Sequence, residues 1–551
     1  MEEKTPALPI SEDLSRKIIS LAAGEAHTIA LTGDGCVYSW GRGMFGRLGT
    51  GKESDELVPV RVKFEFPDQV AGDGPRIVGI AAGAYHSLAI SDDGSVWSWG
   101  YNIYGQLGFD GDNSLAPYLF KNFFEQGGSN SSLNDSGRSD LKVCSVKAGS
   151  MMSLAIDNVG GLWMWGNVPQ QDSGAEPRVT ITSIPIPFPI PEFHGRTVLK
   201  VACGDEHVVA LVGLGGIHKD TSCDDSVLYS WGNNHHGQLG LGDRESRARP
   251  QIVDTFNQNS GLTVYDIACG AHHTALLTYS KETPKGPSIC WTFGFGENGQ
   301  LGHGITKSKS IAEPVSELPE HTYLVSVDCG LFHTSVVSSE GFVWSWGMER
   351  GLGLCPDVNF TDVEPGDDSI PRKISGGSRF RDPVQVSCGA AHTVLVANGG
   401  YKLWSWGRGR NGVLGTGNVS DSYVPTLVFW PNELKPEKEE VPDAEKSAST
   451  EEIKRLESKL MVMERYASIL HGSIFGKPFN EEEDIPYSLR VTGYFDMGKE
   501  WGEMLESADK SQLMRLQAFY EDMIGRVKDK VLQRRIQEIM KDCLQSSAPK
   551  H

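Results

Sequence analysis

The chain has 551 residues, including 64 glycines and 13 tryptophans, and its 51 basic and 71 acidic side chains give a net charge of −20. Glycine exceeds its usual level of about 7% but does not recur at every third position, which excludes a collagen-like chain. The hydrophobic content of 39% excludes an acidic disordered chain, and no apolar run approaches the roughly 18 residues of a membrane-spanning helix.

The N-terminal segment, residues 1–13, is an acidic tail with prolines and no apolar core, so we expect neither a secretory signal nor membrane attachment. The ten cysteines include no Cys-x-x-Cys pair. Together these features predict reduced thiols and a location in the cytoplasm and/or nucleus. The acidic balance and the lack of a long basic run disfavour direct binding of nucleic acid.

A repeated unit occupies residues 14–430. It consists of Ala-Gly-x-x-His-Thr-x-Ala-Leu, a glycine turn, Val-x-Ser-Trp-Gly and then Gly-Gln-Leu-Gly. Short apolar stretches such as 18–22 and 27–31 alternate with hairpin signals such as Asp34-Gly35, which predicts about four strands per unit. The aromatic residue of the Trp-Gly pair recurs about every 60 residues, at Trp40, Trp99, Trp165, Trp231, Phe293, Trp346 and Trp406.

A second aromatic residue stands two positions before each Trp-Gly pair. Since residues i and i+2 of a strand share a face, two aromatic side chains per unit are predicted to pack between neighbouring sheets. Seven four-stranded sheets around an axis form a β-propeller. We expect the ring to close by pairing a strand near 423–429 with the first strand near 18–22.

The third unit departs from the pattern. Met152 stands at the histidine position, no Gly-Gln-Leu-Gly follows Trp165-Gly166, and residues 184–191 are rich in proline. Proline at this density is typical of an edge strand or a loop.

These motifs resemble the regulator of chromosome condensation repeat family over residues 14–430, about three quarters of the chain. The resemblance implies an all-β, seven-bladed β-propeller. Six histidines occupy the Gly-x-x-His position and are predicted to be hydrogen-bonded structural residues, namely His27, His86, His207, His273, His333 and His392. Four cysteines directly precede the glycine of this motif and are predicted to be small buried side chains, namely Cys203, Cys269, Cys329 and Cys388. We find no sequence constellation for an enzyme active site, and we expect no metal and no cofactor.

The founding member of that family is a nucleotide-exchange factor for the small GTPase Ran. There, Gly-x-x-His turns place acidic and imidazole groups against the GTPase, and an acid can compete with the nucleotide phosphates without covalent chemistry. The resemblance implies candidate partner contacts here at Glu25, Asp205, Glu206, His207, His272 and His273. The alternative is that these are ordinary turn residues.

Two other activities of the family are disfavoured by the residues. The founding member uses a basic tail on chromatin, whereas the N-terminus here is acidic. A plant branch senses ultraviolet-B light through tryptophans in its Gly-x-x-His turns. The corresponding turns here contain no tryptophan, at 204–207, 270–273, 330–333 and 389–392.

The non-repeating segments complete the predicted organisation. Residues 109–141, rich in Ser, Asn and Gly, predict a mobile insertion. Residues 431–450 predict a charged linker, 451–544 an α-helical, coiled-coil-like module, and 545–551 a disordered tail. The apolar stripes of the module need a surface, within the chain, in an oligomer or on a partner helix. The sequence as a whole favours a protein-interaction scaffold, with an exchange factor for a Ran-like GTPase as the alternative and chromatin association as the least favoured hypothesis.

Overall fold

The structure is a computed structural model that describes residues 14–65, 74–120, 123, 141–171, 179–215, 225–284, 286–348, 368–374 and 380–430. The chain divides into two units, Met1–Glu433 and Leu434–His551, and every described residue belongs to the first. The predicted N-terminal tail, charged linker, helical module and C-terminal tail therefore lie outside the described residues. None of the helices in the described part is long and apolar enough to cross a lipid bilayer.

The described residues form seven antiparallel four-stranded sheets, each made of four consecutive strands. We number these sheets as blades 1 to 7 in chain order. The strands are β1 Ile18–Ala23, β2 His27–Thr32, β3 Val37–Gly41, β4 Glu56–Val62, β5 Ile77–Ala82, β6 His86–Ser91, β7 Val96–Gly100, β8 Ser114–Phe120, β9 Val143–Ala148, β10 Met152–Asp157, β11 Leu162–Gln171, β12 Val179–Pro189, β13 Thr197–Cys203, β14 His207–Gly213, β15 Ser226–Gly232, β16 Arg247–Ile252, β17 Leu262–Cys269, β18 His273–Ser280, β19 Ile289–Gly294, β20 Lys309–Pro314, β21 Leu324–Cys329, β22 His333–Ser338, β23 Val343–Gly347, β24 Asp368–Lys373, β25 Gln385–Cys388, β26 His392–Ala397, β27 Lys402–Gly407 and β28 Ser422–Leu427. Short 3-10 turns occur at Met44–Gly46, Pro191–Phe193, Asp254–Phe256, Asn398–Gly400 and Arg410–Gly412. The predicted seven-bladed β-propeller is confirmed.

The hydrophobic core lies between blades rather than inside one sheet. Every residue of β2 is buried, because the second strand of a blade is covered by a neighbouring blade on each face. Between blades 1 and 2, Ile29 and Leu31 pack in one cluster with Trp97 and Trp99. The Trp-Gly aromatic residues are buried in all seven blades, where each large ring contributes apolar area to a junction.

The predicted closure of the ring by strand pairing is wrong. Strand β28 pairs with β27 in blade 7, and β1 pairs with β2 in blade 1. Each repeat therefore supplies all four strands of its own blade. Side chains join the two ends of the ring instead: the Gln385 amide accepts from the Leu21 N–H at 3.0 Å and donates to the Leu21 carbonyl at 2.8 Å.

The predicted insertion at 109–141 begins too early in the chain. Residues 114–120 are β8, the outer strand of blade 2. Phe120 is buried, and the Phe123 ring lies 5.6 Å from that of Trp163. Exposed residues and Pro117 conceal this outer strand in the sequence, because only one of its faces is covered. Residues 121–122 and 124–140 lie outside the described residues. In blade 3 the proline-rich segment is the edge strand β12, one of the two structures that its sequence predicted.

Candidate functional site

Neighbouring blades are joined by a three-part hydrogen-bond chain that we call the polar relay. In one copy, Nε2 of His207 lies 3.0 Å from Oγ1 of Thr274 in the next blade. That hydroxyl donates to the carbonyl of Gln238, in the Gly-Gln-Leu-Gly turn, at 2.9 Å. Because the hydroxyl proton is used in this bond, the imidazole must donate, and its ring proton is on Nε2. The same chain joins His27, Ser87 and Arg47, then His86, Ser153 and Gln106, and then His273, Thr334 and Gln300.

The histidines of the remaining junctions also bond a hydroxyl of the next blade. His333 lies 3.0 Å from Thr393, and His392 lies 3.2 Å from Thr28. All six imidazoles are buried, and burial lowers the pKa of each one because it disfavours the charged ring. The pKa is lowered to about 3 for His86, His207, His273 and His392, to about 4 for His333, and well below its usual value for His27. These rings are neutral structural groups at physiological pH.

The junction between blades 3 and 4 has no polar relay. Met152 stands at the histidine position and Val208 at the hydroxyl position, and both belong to one apolar cluster. Blade 3 also lacks the turn that would supply the carbonyl, because its third strand continues to Gln171. The three parts of the relay are therefore absent together, so no relay histidine or hydroxyl is buried there without its partner.

The corresponding turns of the seven blades, six Gly-x-x-His and one Gly-x-x-Met, form what we call the end face of the propeller. At its centre is a depression of about 370 Å³, lined by backbone of these turns and by Glu25 and Asp205. Burial raises the pKa of the Asp205 carboxyl; His272 opposes the rise, while the carboxylates of Glu206 and Glu25 add to it. The turns thus bring three of the predicted acidic residues within electrostatic reach of one another.

The six candidate partner contacts have two kinds of environment. Glu25, Asp205, Glu206 and His272 are partly exposed on the end face, and a carboxylate oxygen of Glu206 accepts from the Asn233 amide at 2.7 Å. The side chains of the other two are fully buried in polar relays and do not reach the surface, namely His207 and His273.

Two groups of partly exposed aromatic side chains flank the central depression, and the sequence analysis did not predict them. In the first, the Phe45 ring lies 4.5 Å from Tyr101 and 6.0 Å from Tyr85, and the Arg47 guanidinium lies 4.5 Å from the Tyr85 ring. In the second, the Phe295 ring is 4.8 Å from His236 and 6.1 Å from Phe332. Tyr85 and Phe332 directly precede a repeat histidine, and Tyr101 and Phe295 directly follow the glycine of the Trp-Gly or Phe-Gly pair. The other two directly precede the first glycine of a turn, namely Phe45 and His236, so aligning the repeats on these motifs would have revealed all of them.

The inner strands enclose a channel of about 430 Å³ that contains the four cysteines preceding the motif glycine, together with Asp328. Burial raises the pKa of the Cys203 thiol to about 12 and that of the Asp328 carboxyl to about 6. The Asp328 carboxylate accepts from the Cys388 N–H at 2.8 Å and from the Ser387 hydroxyl at 3.1 Å. The described cysteines are all free, and no group of His, Cys, Asp or Glu in the described residues could hold a metal ion.

Two family models match this chain, and both describe the same family. A model of the RCC1-like domain matches residues 1–254. A model of the regulator of chromosome condensation (RCC1) repeat matches residues 289–337, 340–396 and 402–438. These matches include strands of all seven blades and leave out residues 255–288, which contain β17 and β18 of blade 5.

Individual relatives share this region. The ultraviolet-B receptor UVR8 of Arabidopsis thaliana is 30% identical over 415 residues, which are 75% of this chain and 82% of that protein. The guanine nucleotide exchange factor SRM1 of Saccharomyces cerevisiae is 26% identical over 425 residues, 71% of this chain and 82% of that protein. The crystal structure of Prp20p from Saccharomyces cerevisiae, described with its binding to Gsp1p and histones, superposes with a TM-score of 0.55 at 22% identity, over 76% of this chain and 89% of that one. This last likeness shows the shared fold.

Proposed function

Because this chain belongs to the regulator of chromosome condensation (RCC1) repeat family, we propose that it is a protein-interaction scaffold whose end face holds a partner protein. The observation that carries the proposal is the pair of aromatic groups around an acidic depression. Aromatic side chains that keep part of their surface exposed are the residues that most often dominate the energy of protein interfaces.

The residues of the end face are held rigidly before any partner arrives. The Tyr101 N–H donates to the Tyr85 carbonyl at 2.9 Å, and the Phe295 N–H donates to the His272 carbonyl at 2.8 Å. Each bond ties a loop that follows a Trp-Gly pair to a Gly-x-x-His turn. Binding of a partner therefore requires little further ordering of this surface, and the small entropic cost favours binding.

The charge of the end face indicates the chemistry of the partner. Glu25, Asp205 and Glu206 lie together, and the chain has a net charge of −20. A basic surface on the partner would complement this field and would associate faster at low ionic strength.

The test is cross-linking of the full-length chain in native cells, with Tyr101→Ala/Phe295→Ala compared with wild type. We expect stoichiometric partners to be lost from the variant and kept by Tyr401→Ala, a matched loss of an exposed aromatic ring away from the two groups. Recovery of the same partners with the double variant would contradict the assignment of this face.

A second candidate function is guanine-nucleotide exchange on a Ran-like small GTPase. It is favoured by the acidic group at Glu25, Asp205 and Glu206 and by the likeness to an exchange factor of yeast. In this mechanism the carboxylates compete with the nucleotide phosphates for the lysine of the GTPase phosphate-binding loop, so no covalent step occurs.

Release of a fluorescent GDP analogue from purified GTPases tests this candidate. We expect acceleration by the wild-type chain, a loss of about tenfold or more in Asp205→Asn, and no change in Glu340→Gln, an exposed carboxylate elsewhere. Either no acceleration of any GTPase or full activity of Asp205→Asn would reject the mechanism.

We also propose a location in the cytoplasm and/or nucleus, which imaging of the tagged full chain would test. A helical module at 451–544 that holds a second partner or a second copy is part of the scaffold proposal.

Chromatin association is the least favoured hypothesis, because an acidic surface repels the phosphate backbone. Retention of nucleosomes at low salt would support it.

A further inference from the structure

In the regular blades, the Gly-Gln-Leu-Gly turn presses against the following blade at two points. A Cβ built on Gly237, the first glycine of the blade 4 turn, would lie 2.6 Å from the Cα of Ser310 on the outer strand of blade 5. A Cβ on Gly240, the last glycine, would lie 2.9 Å from the Phe293 ring. The described turns of blades 1, 2, 5 and 7 make the same two approaches to Leu115 and Trp99, to Pro185 and Trp165, to Ser369 and Trp346, and to Leu57 and Trp40.

Each turn also satisfies polar groups of the next blade. The carbonyl that precedes the turn leucine accepts the indole N–H of the next tryptophan, as Arg47 does from Trp99 at 2.9 Å. An N–H beyond the turn donates to the outer strand, as Gly242 does to the Ser310 carbonyl at 2.8 Å. The turn leucines are buried: Leu48, Leu107, Leu239, Leu301 and Leu414.

Between blades 3 and 4 the corresponding positions are Trp231 and Ala248, and no glycine among the described residues of blade 3 makes these two approaches to them. A cavity of about 460 Å³ lies against both residues. We call it the socket and define it by Met164, Gln170, Phe188, Ile190, Trp231 and Ala248. It shares no lining residue with the depression on the end face.

The residues around the socket are adapted to the absence of the turn. In five other blades a hydroxyl between the two strand aromatics donates to the carbonyl of the turn leucine, as Ser98 does to Leu107 at 2.7 Å. Blade 3 has Met164 at this position, so no buried hydroxyl is left without its acceptor. This substitution matches the loss of the polar relay at the same junction.

The socket nevertheless keeps the two groups that a turn would bond. Among the described residues, the indole N–H of Trp231 has no acceptor, and the Ala248 carbonyl does not receive the bond that its counterpart Ser310 receives from Gly242. Eight of the twelve lining residues are apolar, and the lining includes one balanced ion pair, Glu192 with Arg249 at 3.7 Å. An occupant should therefore be uncharged, should carry one aliphatic side chain, and should offer both a carbonyl and an N–H.

We propose that the socket binds a Gly-x-Leu-Gly-like turn of a partner protein, in the manner in which the propeller's own turns bind the next blade. The leucine side chain packs against the apolar residues of the lining, such as Met164, Phe188 and Ile190. The preceding carbonyl accepts the indole N–H of Trp231, and an N–H beyond the turn donates to the Ala248 carbonyl. The volume of the cavity is in the range of ordinary ligand pockets. This inference does not depend on the function proposed for the end face.

The probe is a linear peptide, acetylated and amidated at its ends, with the sequence of residues 298–305, which contains the blade 5 turn Gly299-Gln300-Leu301-Gly302. Its control is the same peptide with Leu301→Ala. The readout is the set of indole N–H signals of the full-length chain labelled with ¹⁵N-tryptophan. The Trp231 signal is assigned from its loss in Trp231→Phe, a residue that the natural Phe293 shows to be compatible with this position.

We expect the native peptide to shift the Trp231 signal and to slow the solvent exchange of its proton. The control peptide should bind roughly 10- to 100-fold more weakly, because it buries about three fewer carbon atoms. Ala248→Trp, at a half-buried outer-strand position, should fill the socket and abolish the shift. Val424→Trp, on the outer strand of blade 7, should leave it intact, and unchanged signals of the other tryptophans would show that both variants fold.

Three results would overturn the proposal. The first is no shift of the Trp231 signal at the solubility limit of the peptide. The second is an equal shift with both peptides or an undiminished shift in Ala248→Trp. The third is a Trp231 proton already protected from exchange in the free chain, because a segment of the chain itself would then occupy the socket.

Discussion

The junctions of the propeller fall into two kinds, six joined by a buried histidine and a hydroxyl and one joined by Met152 and Val208. In the first kind, polar groups of two blades must meet with correct geometry. In the second, only apolar contact is required. The difference teaches that histidine, hydroxyl and turn act as one unit, since losing one of them alone would leave a buried polar group unpaired.

The largest expected difference between the two kinds of junction is sensitivity to acid. The folded pKa is about 3 for His86, His207, His273 and His392 and about 4 for His333, and that of His27 lies well below its usual value. The unfolded value is about 6.5. Stability is therefore complete above about pH 6.5 and falls as pH decreases toward 4, because the unfolded chain binds protons that the folded chain excludes. Each histidine contributes up to about 1.4 kcal/mol per pH unit.

Asp328, with a pKa raised to about 6, and Asp205, whose pKa is also raised, oppose this trend, because the folded state binds their protons more readily than the unfolded chain does. Urea unfolding between pH 7 and 5 measures the combined effect of these groups on the free energy of unfolding. The double variant His273→Met/Thr334→Val copies the apolar junction and should reduce the slope of that free energy against pH by the contribution of one histidine. The exposed His235→Gln should not change this slope. A stability that does not change with pH over this interval would contradict the account.

The second comparison removes a tryptophan from each kind of junction. Trp99 is enclosed by the blade 1 turn and bonds the Arg47 carbonyl, so Trp99→Ala should lower the free energy of unfolding by about 3–5 kcal/mol. Trp231→Ala should cost about 1–2 kcal/mol less, because a cavity already borders that ring and no bond to a turn is lost. Urea denaturation of the two variants gives the difference; equal losses would show that the socket does not weaken this junction.

A third experiment tries to convert the apolar junction into a polar one. Met152→His should cost about 2–3 kcal/mol, because it buries an imidazole without a partner. Adding Val208→Thr should recover about 1 kcal/mol by supplying the hydroxyl, measured as the coupling energy of a double-mutant cycle. If Val208→Thr restored all of the lost free energy of unfolding, the turn carbonyl would not be needed by the relay, because this junction would still lack it.

The smallest expected effect isolates the indole N–H. Trp99→Phe should be less stable than Trp231→Phe by about 1 kcal/mol, because only the first loses a hydrogen bond to a turn carbonyl. Thermal unfolding of both variants beside wild type provides the measurement. The reverse order would indicate that Trp231 has an acceptor that the described residues do not supply.

Much of the fold could be predicted from the sequence because its signals are local and repeated. Glycine turns, the alternation of strands and the aromatic pair recur in seven copies, and each copy contains all the strands of its blade. The pairing at ring closure was predicted wrongly, because a strand near 423–429 can complete either of two neighbouring sheets and its own residues do not discriminate between them. Strand β8 was missed because an outer strand is covered on one face only and lacks a strong apolar pattern.

The sequence also identified Glu25, Asp205 and Glu206 as candidates through the resemblance to a family, but not their proximity, which depends on how the blades surround the axis. Their role in binding stays a prediction. The aromatic groups around Tyr101 and Phe295 were equally hidden, because each is assembled from two or three blades.

The sequence by itself determined the number of blades, the residues of the junctions and the exceptional third unit, since these depend on the type and spacing of residues within one repeat. Only the tertiary structure decided that Met152, Val208 and the absent turn of blade 3 meet at a single junction and leave the socket beside Trp231. The physical reason is that the polar relay has its parts in two neighbouring blades, so that its presence or absence is a property of the contact between repeats and not of any one of them.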